Sequence, residues 1–316
     1  MPAPPEVAPA AGRRQVPYWQ AGLGLTLLLG GAYLVRRHWP TVEDGAVRLA
    51  VADQGWLLLG ALAAIGTWAS SALAQQGAVT ERLPGGRLVA AQFAASAANH
   101  LLPAGLGAGA VNVRFLMRCG LPAGRSASAL AVKATAGVVV RLALIGALAP
   151  ACPGLLRIPH VPTAVLLAVP AVAALVAALF RTRWWPRCRG AVGAVSADIR
   201  AVHASPARSA ALWGGSLAFA ALHSLVLIAV TQAIELPLSP ARVMLLYLAA
   251  SGAAALLPTP GGLGSLDAAL ALALTASGTP AAAAASAVLG YRLLTVWLPL
   301  LPGLLVLGLL IRRRAL

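Results

Sequence analysis

Apolar residues run in long, nearly unbroken stretches along this chain, and polar residues gather in the short intervals between them. A helix that crosses a bilayer needs about 20 consecutive, predominantly apolar residues. Stretches of that kind fall at roughly 19 to 37, 54 to 76, 126 to 149, 161 to 180, 209 to 234 and 283 to 311. Two further apolar stretches are interrupted at their centres. The first, 88 to 118, is broken by Pro103, Gly105, Gly107 and Gly109; the second, 240 to 277, by Pro258, Pro260, Gly261, Gly262 and Gly264. The pattern predicts an all-α, polytopic membrane protein with about six full transmembrane helices and two re-entrant helical hairpins. Residues 1 to 17, rich in Pro and Ala, are expected to form a disordered cytoplasmic tail, and residues 18 to 316 a single transmembrane domain. The first apolar run ends in Arg36-Arg37-His38-Trp39 without a small-residue cleavage site, so it reads as a retained helix and not a signal peptide.

Charge orients these pieces. Only 10% of the residues are charged, against about 25% in a soluble domain. The net charge of +16 does not indicate nucleic acid, because the arginines stand in short clusters between apolar runs. That is the positive-inside pattern, and it also favours anionic headgroups at the cytoplasmic surface. The linker 181 to 208 holds Arg181, Arg183, Arg187, Arg189, Arg200 and Arg208, and the chain ends in Arg312-Arg313-Arg314. Both are placed in the cytoplasm, as are both termini, in a cell membrane of the bacterial inner-membrane type. Counting crossings back from the linker puts Arg114, Arg118 and Arg125 inside as well. The first broken stretch then starts and ends in the cytoplasm, and the second starts and ends outside. Cys119, Cys152 and Cys188 are far apart and odd in number, which predicts neither a disulfide framework nor a metal site. No cofactor is expected.

The two broken stretches share a phrase. Leu101-Leu102-Pro103-Ala104-Gly105-Leu106-Gly107 corresponds to Leu256-Leu257-Pro258-Thr259-Pro260-Gly261-Gly262-Leu263-Gly264. Downstream, Gly120-Leu121-Pro122-Ala123 corresponds to Gly278-Thr279-Pro280-Ala281, and Ser128-Ala129 to Ser286-Ala287. Repeats over about 50 to 150 and 209 to 311 are thus expected. Three crossings lie between the hairpins, and an odd number inverts the second copy, as in many secondary transporters.

Irregular backbone is tolerated at membrane depth only where protein or a water-filled cavity covers it. A helix starting near Gly107 or Gly264 would aim free amides and its positive dipole end inward, where an anion, phosphate above all, is favoured. Glycines there allow a ligand to approach the backbone. Lys133, the only lysine, and Arg141 fall with Gly137 at spacings of four on one helix face. Arg292 lies inside the last run, with Thr295 and Pro299 on nearly the same face. A cation in mid-membrane costs roughly 3 kcal/mol or more, so it faces a partner or a wet cavity. Asp267 has two readings: a first-turn acid complementing the helix dipole, or a partner of Arg292 or of a coupling cation. Asn99 and His100 precede the first tip; a lone histidine there is more often structural.

Asn99 through Gly107 followed by Arg114, then Pro258-x-Pro-Gly-Gly-x-Gly264, then Tyr291-Arg292-x-x-Thr295-x-Trp297-Leu298-Pro299, resemble the transmembrane flippase domain of lysyl-phosphatidylglycerol synthases and their stand-alone relatives. The resemblance covers roughly 20 to 311. The family places a Glu three residues after the last tip glycine; Asp267 keeps the acid and shortens it. Full-length synthases also carry a soluble aminoacyl-transferase domain after the membrane part, which is absent from the sequence up to Leu316. The resemblance therefore implies lipid translocation without lysine transfer, and no enzyme.

The expected function is a flippase for an anionic phospholipid or a polyprenyl-phosphate-linked lipid. Its substrate site takes Pro103, Gly105, Gly107, Pro258, Pro260, Gly261, Gly262 and Gly264 from the tips, together with Asn99, Arg114, Lys133, Arg141, Asp267, Tyr291 and Arg292. A secondary transporter of a small soluble anion would use the same hairpins. A membrane partner of a glycosyltransferase would not need buried charges. An intramembrane enzyme lacks support: there is no Gly-x-Ser-x-Gly, no His-Glu-x-x-His and no paired carboxylates. Expected partners are the membrane, a lipid with a phosphate headgroup, a lipid-modifying enzyme or a second copy of the chain.

Overall fold

The computed structural model describes residues 43, 47–100, 106–153, 193, 196–197, 199–255 and 264–313. The apolar runs at 19 to 37 and 161 to 180, and the tip residues Pro103, Gly105, Pro258, Pro260, Gly261 and Gly262, lie outside the described residues. Among the described residues the regular structure is entirely helical. The helices are α1 (Gln54–Gly77), α2 (Gly85–Asn99), α3 (Leu106–Arg118), α4 (Ala123–Leu148), α5 (Pro206–Ala233), α6 (Pro240–Ala255), α7 (Ser265–Ala276), α8 (Ala281–Arg292) and α9 (Leu298–Arg312). A five-residue π-helical turn, Leu293–Trp297, joins α8 to α9.

Among the described residues four segments are long and apolar enough to cross a membrane: α1, α4 with its 3-10 extension to Ala151, α5, and the continuous α8–α9. They match four of the six runs expected to span. The other helices are 15, 13, 16 and 12 residues long, which at 1.5 Å per residue is about 18–24 Å, short of a hydrocarbon core of about 30 Å.

The same succession occurs twice: one long helix, two short helices, one long helix. The neighbours correspond as well. α1 packs against α5, and the short helices pair as α2 with α3 and α6 with α7. α9 lies on α2, and its counterpart α4 lies on α6. The turns that leave α3 and α7 repeat bond for bond. Gly120 (φ +95°) and Gly278 (φ +96°) both take the left-handed conformation that glycine supplies without strain. Leu121 N donates to Leu116 O at 3.1 Å, and Thr279 N to Leu274 O at 3.2 Å. These are the closing bonds of two Schellman-type caps. Pro122 and Pro280 then start the next helix. The Gly-x-Pro-Ala phrase is thus a structural punctuation mark used at both places.

Loop and helix ends separate into two edges. Arg125 and Arg208 both reach Thr80, through its hydroxyl at 2.9 Å and its carbonyl at 2.7 Å. That brings the end of α1 and the starts of α4 and α5 to one edge, with Leu310 near the end of α9 packed beside them through Val79 and Leu121. At the opposite edge Asp53 N donates to Ala233 O at 3.0 Å. Arg125 and Arg208, two of the arginines expected to share a side, stand together at the first of these edges. Glu81 pairs with Arg125 at 2.9 Å. Burial opposes its charge, but hydrogen bonds from its own backbone and Thr80 and the nearby guanidinium outweigh that and hold the carboxyl below its ordinary value. Both side chains are more than a third exposed, so the pair adds little stability.

The long helices are apolar outside and small inside. On α1, Leu58, Leu62, Ile65 and Leu73 are exposed while Gly60, Ala63, Ala64, Ser70 and Ala74 are buried. Lipid is as apolar as leucine, so membrane helices gain by close approach of small residues. Along the α1–α5 seam a Cβ on Gly77 would stand 2.3 Å from Leu212 N, and one on Gly215 would stand 2.5 Å from Ala74 N. Those obstacles are backbone and cannot swing aside. Gly215→Val is therefore expected to destabilise the protein by about 1–3 kcal/mol through overpacking. Gly214→Val, whose Cβ meets nothing within 4 Å, should melt in detergent like the parent.

Candidate functional site

A cavity of about 490 Å³ is lined by residues of both halves. Lys133 and Arg141 reach it from α4, Tyr291 and Arg292 from α8, and Asn99 and His100 from the end of α2. Five residues proposed as substrate contacts from sequence alone, on three different helices, thus converge on one space. Arg114 does not join them; it is exposed on α3, outside the lining.

Arg292 is buried, and its Nε donates to Asp267 Oδ1. Asp267 Oδ2 accepts from Gly264 N at 3.0 Å. Asp267 thus both sits in the first turn of its helix and pairs with Arg292. It caps the start of α7, and it compensates the buried guanidinium. The π turn begins directly after Arg292, and Thr295 inside it lines the cavity while its hydroxyl donates to Tyr291 O at 2.7 Å. Single-turn π segments inside α-helices recur at functional sites.

Two polar clusters face each other across the cavity. In the first half, Lys133 Nζ donates to Ser71 Oγ at 2.9 Å and to Gln92 Oε1 at 3.0 Å. Gln92 Nε2 in turn donates to Asn112 Oδ1 at 2.6 Å. In the second half, Tyr291 Oη donates to Tyr247 Oη at 3.2 Å, with His223 Nδ1 3.1 Å from the Tyr291 hydroxyl. Ser71, Gln92 and Lys133 come from α1, α2 and α4; His223, Tyr247 and Tyr291 come from their counterparts α5, α6 and α8. One cluster is cationic and the other is built from aromatic hydroxyls. Arg141 also lines the cavity, and among the described residues its Nε has no hydrogen-bond partner.

Ser71, Gln92, His223 and Tyr247 escaped sequence reasoning because single polar residues in apolar runs look incidental. The signal was present in the repeat. Lys133 and Tyr291 are 158 residues apart, as are Gly120 and Gly278, and Gln92 and Tyr247 are 155 apart, as are Pro103 and Pro258.

The two tip glycines that are described serve different needs. A Cβ on Gly107 would lie 1.9 Å from Ala98 O, so this glycine lets the first turn of α3 rest on the last turn of α2. Gly264 has φ +91°, and no atom of the described residues lies within 4 Å of its Cβ position. Gly264→Ala is expected to cost about 1–2 kcal/mol from backbone conformation alone, measured as a lower melting temperature.

The family described as lysylphosphatidylglycerol synthase TM region matches residues 22–303. No curated protein matches the chain.

Proposed function

The chain belongs to the lysylphosphatidylglycerol synthase TM region family, and from that premise we propose that it is a lipid transporter. It carries an anionic phospholipid or a polyprenyl-phosphate-linked lipid between leaflets. The observation that carries this reading is the cavity itself. Lys133, Arg141 and Arg292 gather inside an integral membrane protein around about 490 Å³ of space, where an unused cation would be costly. That volume suits a headgroup, while the acyl chains stay in the bilayer. The helices α3 and α7 both contribute to the lining close to their N-termini, through Ala108 and Ser265, the ends that favour an anion.

The corresponding halves support an inverted pair of re-entrant hairpins, α2–α3 and α6–α7, entering from opposite faces. The edge bearing Arg125 and Arg208 is cytoplasmic in this reading. Transport leaves the lipid covalently unchanged, so the protein is not an enzyme. The test is transfer of a labelled anionic lipid between leaflets of vesicles reconstituted with the purified chain. At least tenfold acceleration over protein-free vesicles is expected, with the lipid recovered at unaltered mass. Equal rates in the two preparations would refute the reading.

A further inference from the structure

The charges available to the cavity can be counted over the whole sequence. The chain has eight acidic residues, and Asp267 alone falls within the apolar stretches that carry the helices. The others sit in the N-terminal tail or in connections: Asp53 and Glu81 flank α1, Glu235 follows α5, and Asp198 lies in the linker. Neither tip sequence, 101 to 105 or 256 to 263, contains an acid. Asp267 is already engaged at both oxygens, by Arg292 and by Gly264 N. Its single negative charge offsets Arg292. Among the described residues Lys133 has only the neutral partners Ser71 and Gln92 at hydrogen-bond distance, and Arg141 forms no ion pair. Among the described residues, two positive charges thus face the cavity without a counter-charge.

Resting on the reading of this cavity as a headgroup site, we propose that its cargo carries about two negative charges and no ammonium group: a lipid phosphomonoester or lipid diphosphate, in preference to a phosphodiester and to zwitterionic or aminoacylated lipids. A phosphomonoester carries about −1.5 to −2 at neutral pH, which matches the surplus; a phosphodiester, at −1, leaves one cation bare. An ammonium would meet Lys133 and Arg141 as like charges. The ring faces of Trp68, Phe219 and Tyr247 in the lining offer it only a cation–π contact, and no carboxylate is left to balance it.

The purified full chain is reconstituted with fluorescent phosphatidic acid, a fluorescent prenyl diphosphate, phosphatidylglycerol, phosphatidylethanolamine and lysyl-phosphatidylglycerol, one at a time. Transfer of the first two is expected to exceed phosphatidylglycerol by about tenfold, and the amine-bearing lipids by more. The prenyl diphosphate and phosphatidic acid arms tell the two phosphate sources apart. A pH series on the unaltered protein gives a second readout. The second proton of a phosphomonoester leaves at about pH 6, so phosphatidic acid transfer should rise between pH 5 and 7.5 while phosphatidylglycerol transfer stays level. Any change of charge at His100, His223, Lys133 or Asp267 would also be felt by phosphatidylglycerol, whose own charge is constant over this range, so a level phosphatidylglycerol profile assigns the rise to the phosphomonoester. Equal transfer of phosphatidic acid and phosphatidylglycerol, or amine-bearing lipids moving as fast, overturns the proposal. If no lipid crosses at all, the transport reading fails separately. The preference is then read as the rise in melting temperature caused by short-chain forms of the same five lipids in detergent, where an equal rise for all overturns it.

Discussion

Arg141→Gln is expected to slow transfer of an anionic lipid by about 10- to 100-fold while leaving the melting temperature equal to or above that of the parent. Arg141 lies in the middle of a membrane-spanning helix, lines the cavity, and has an Nε without a partner. A guanidinium held there costs desolvation free energy that the fold does not recover, so a neutral side chain relieves the resting protein. A charge-assisted hydrogen bond to a phosphate contributes about 1.5–3 kcal/mol, which corresponds to the stated loss of rate at about 1.4 kcal/mol per tenfold. Arg125→Ala at the exposed edge serves as control and should leave transfer unchanged. A variant with normal transfer would remove Arg141 from the site; one that no longer melts cooperatively would make it a structural residue.

Arg292→Ala should behave in the opposite manner, failing first as a fold. Its partner Asp267 would remain as an uncompensated carboxylate within the membrane, with a side chain only 32% exposed. Breaking a buried pair by removing one member costs about 3 kcal/mol or more. Arg292→Ala combined with Asp267→Ala should recover most of that loss in a detergent melt, apart from the cap that Asp267 gives to Gly264 N, about 1 kcal/mol. Transfer should not recover with it, because the charge at the cavity wall is still missing. Recovery of both would reduce Arg292 to a structural role, and recovery of neither would mean that the pair is not what holds α7 against α8.

Four of the long apolar runs were legible because membrane helices are set by length and hydrophobicity alone. The cavity-lining cations were legible for the same reason: a charge inside an apolar run stands out against its neighbours. Asp267 was harder, since position three of a helix suits an acid whether or not it has a distant partner, and only the packing of α7 beside α8 shows that Arg292 arrives there. Gly107 was legible as special but not as to why. Its meaning depends on the carbonyl of Ala98, nine residues earlier, which no local pattern predicts. The polar cluster around Lys133 depends on four helices and that around Tyr291 on three, and both became visible only once the two halves were laid over one another residue by residue. Arg114 had the composition of a site residue, but its helix turns it outward.

The hydroxyls along the α1–α5 seam are turned inward on their own helices: Thr67 bonds Ala64 O, Ser70 bonds Thr67 O, and Ser224 bonds Ala220 O. Among the described residues no hydrogen bond joins 54–77 to 206–233. What meets there is glycine, alanine and small aliphatic surface, held by dispersion. Such a seam works as a plain bearing, a smooth shaft without teeth. Tilting one half of the molecule on the other along it breaks no polar contact between the two shafts, and the hydrogen bonds that resist it stand at their ends, Asp53 to Ala233 and Arg208 to Thr80.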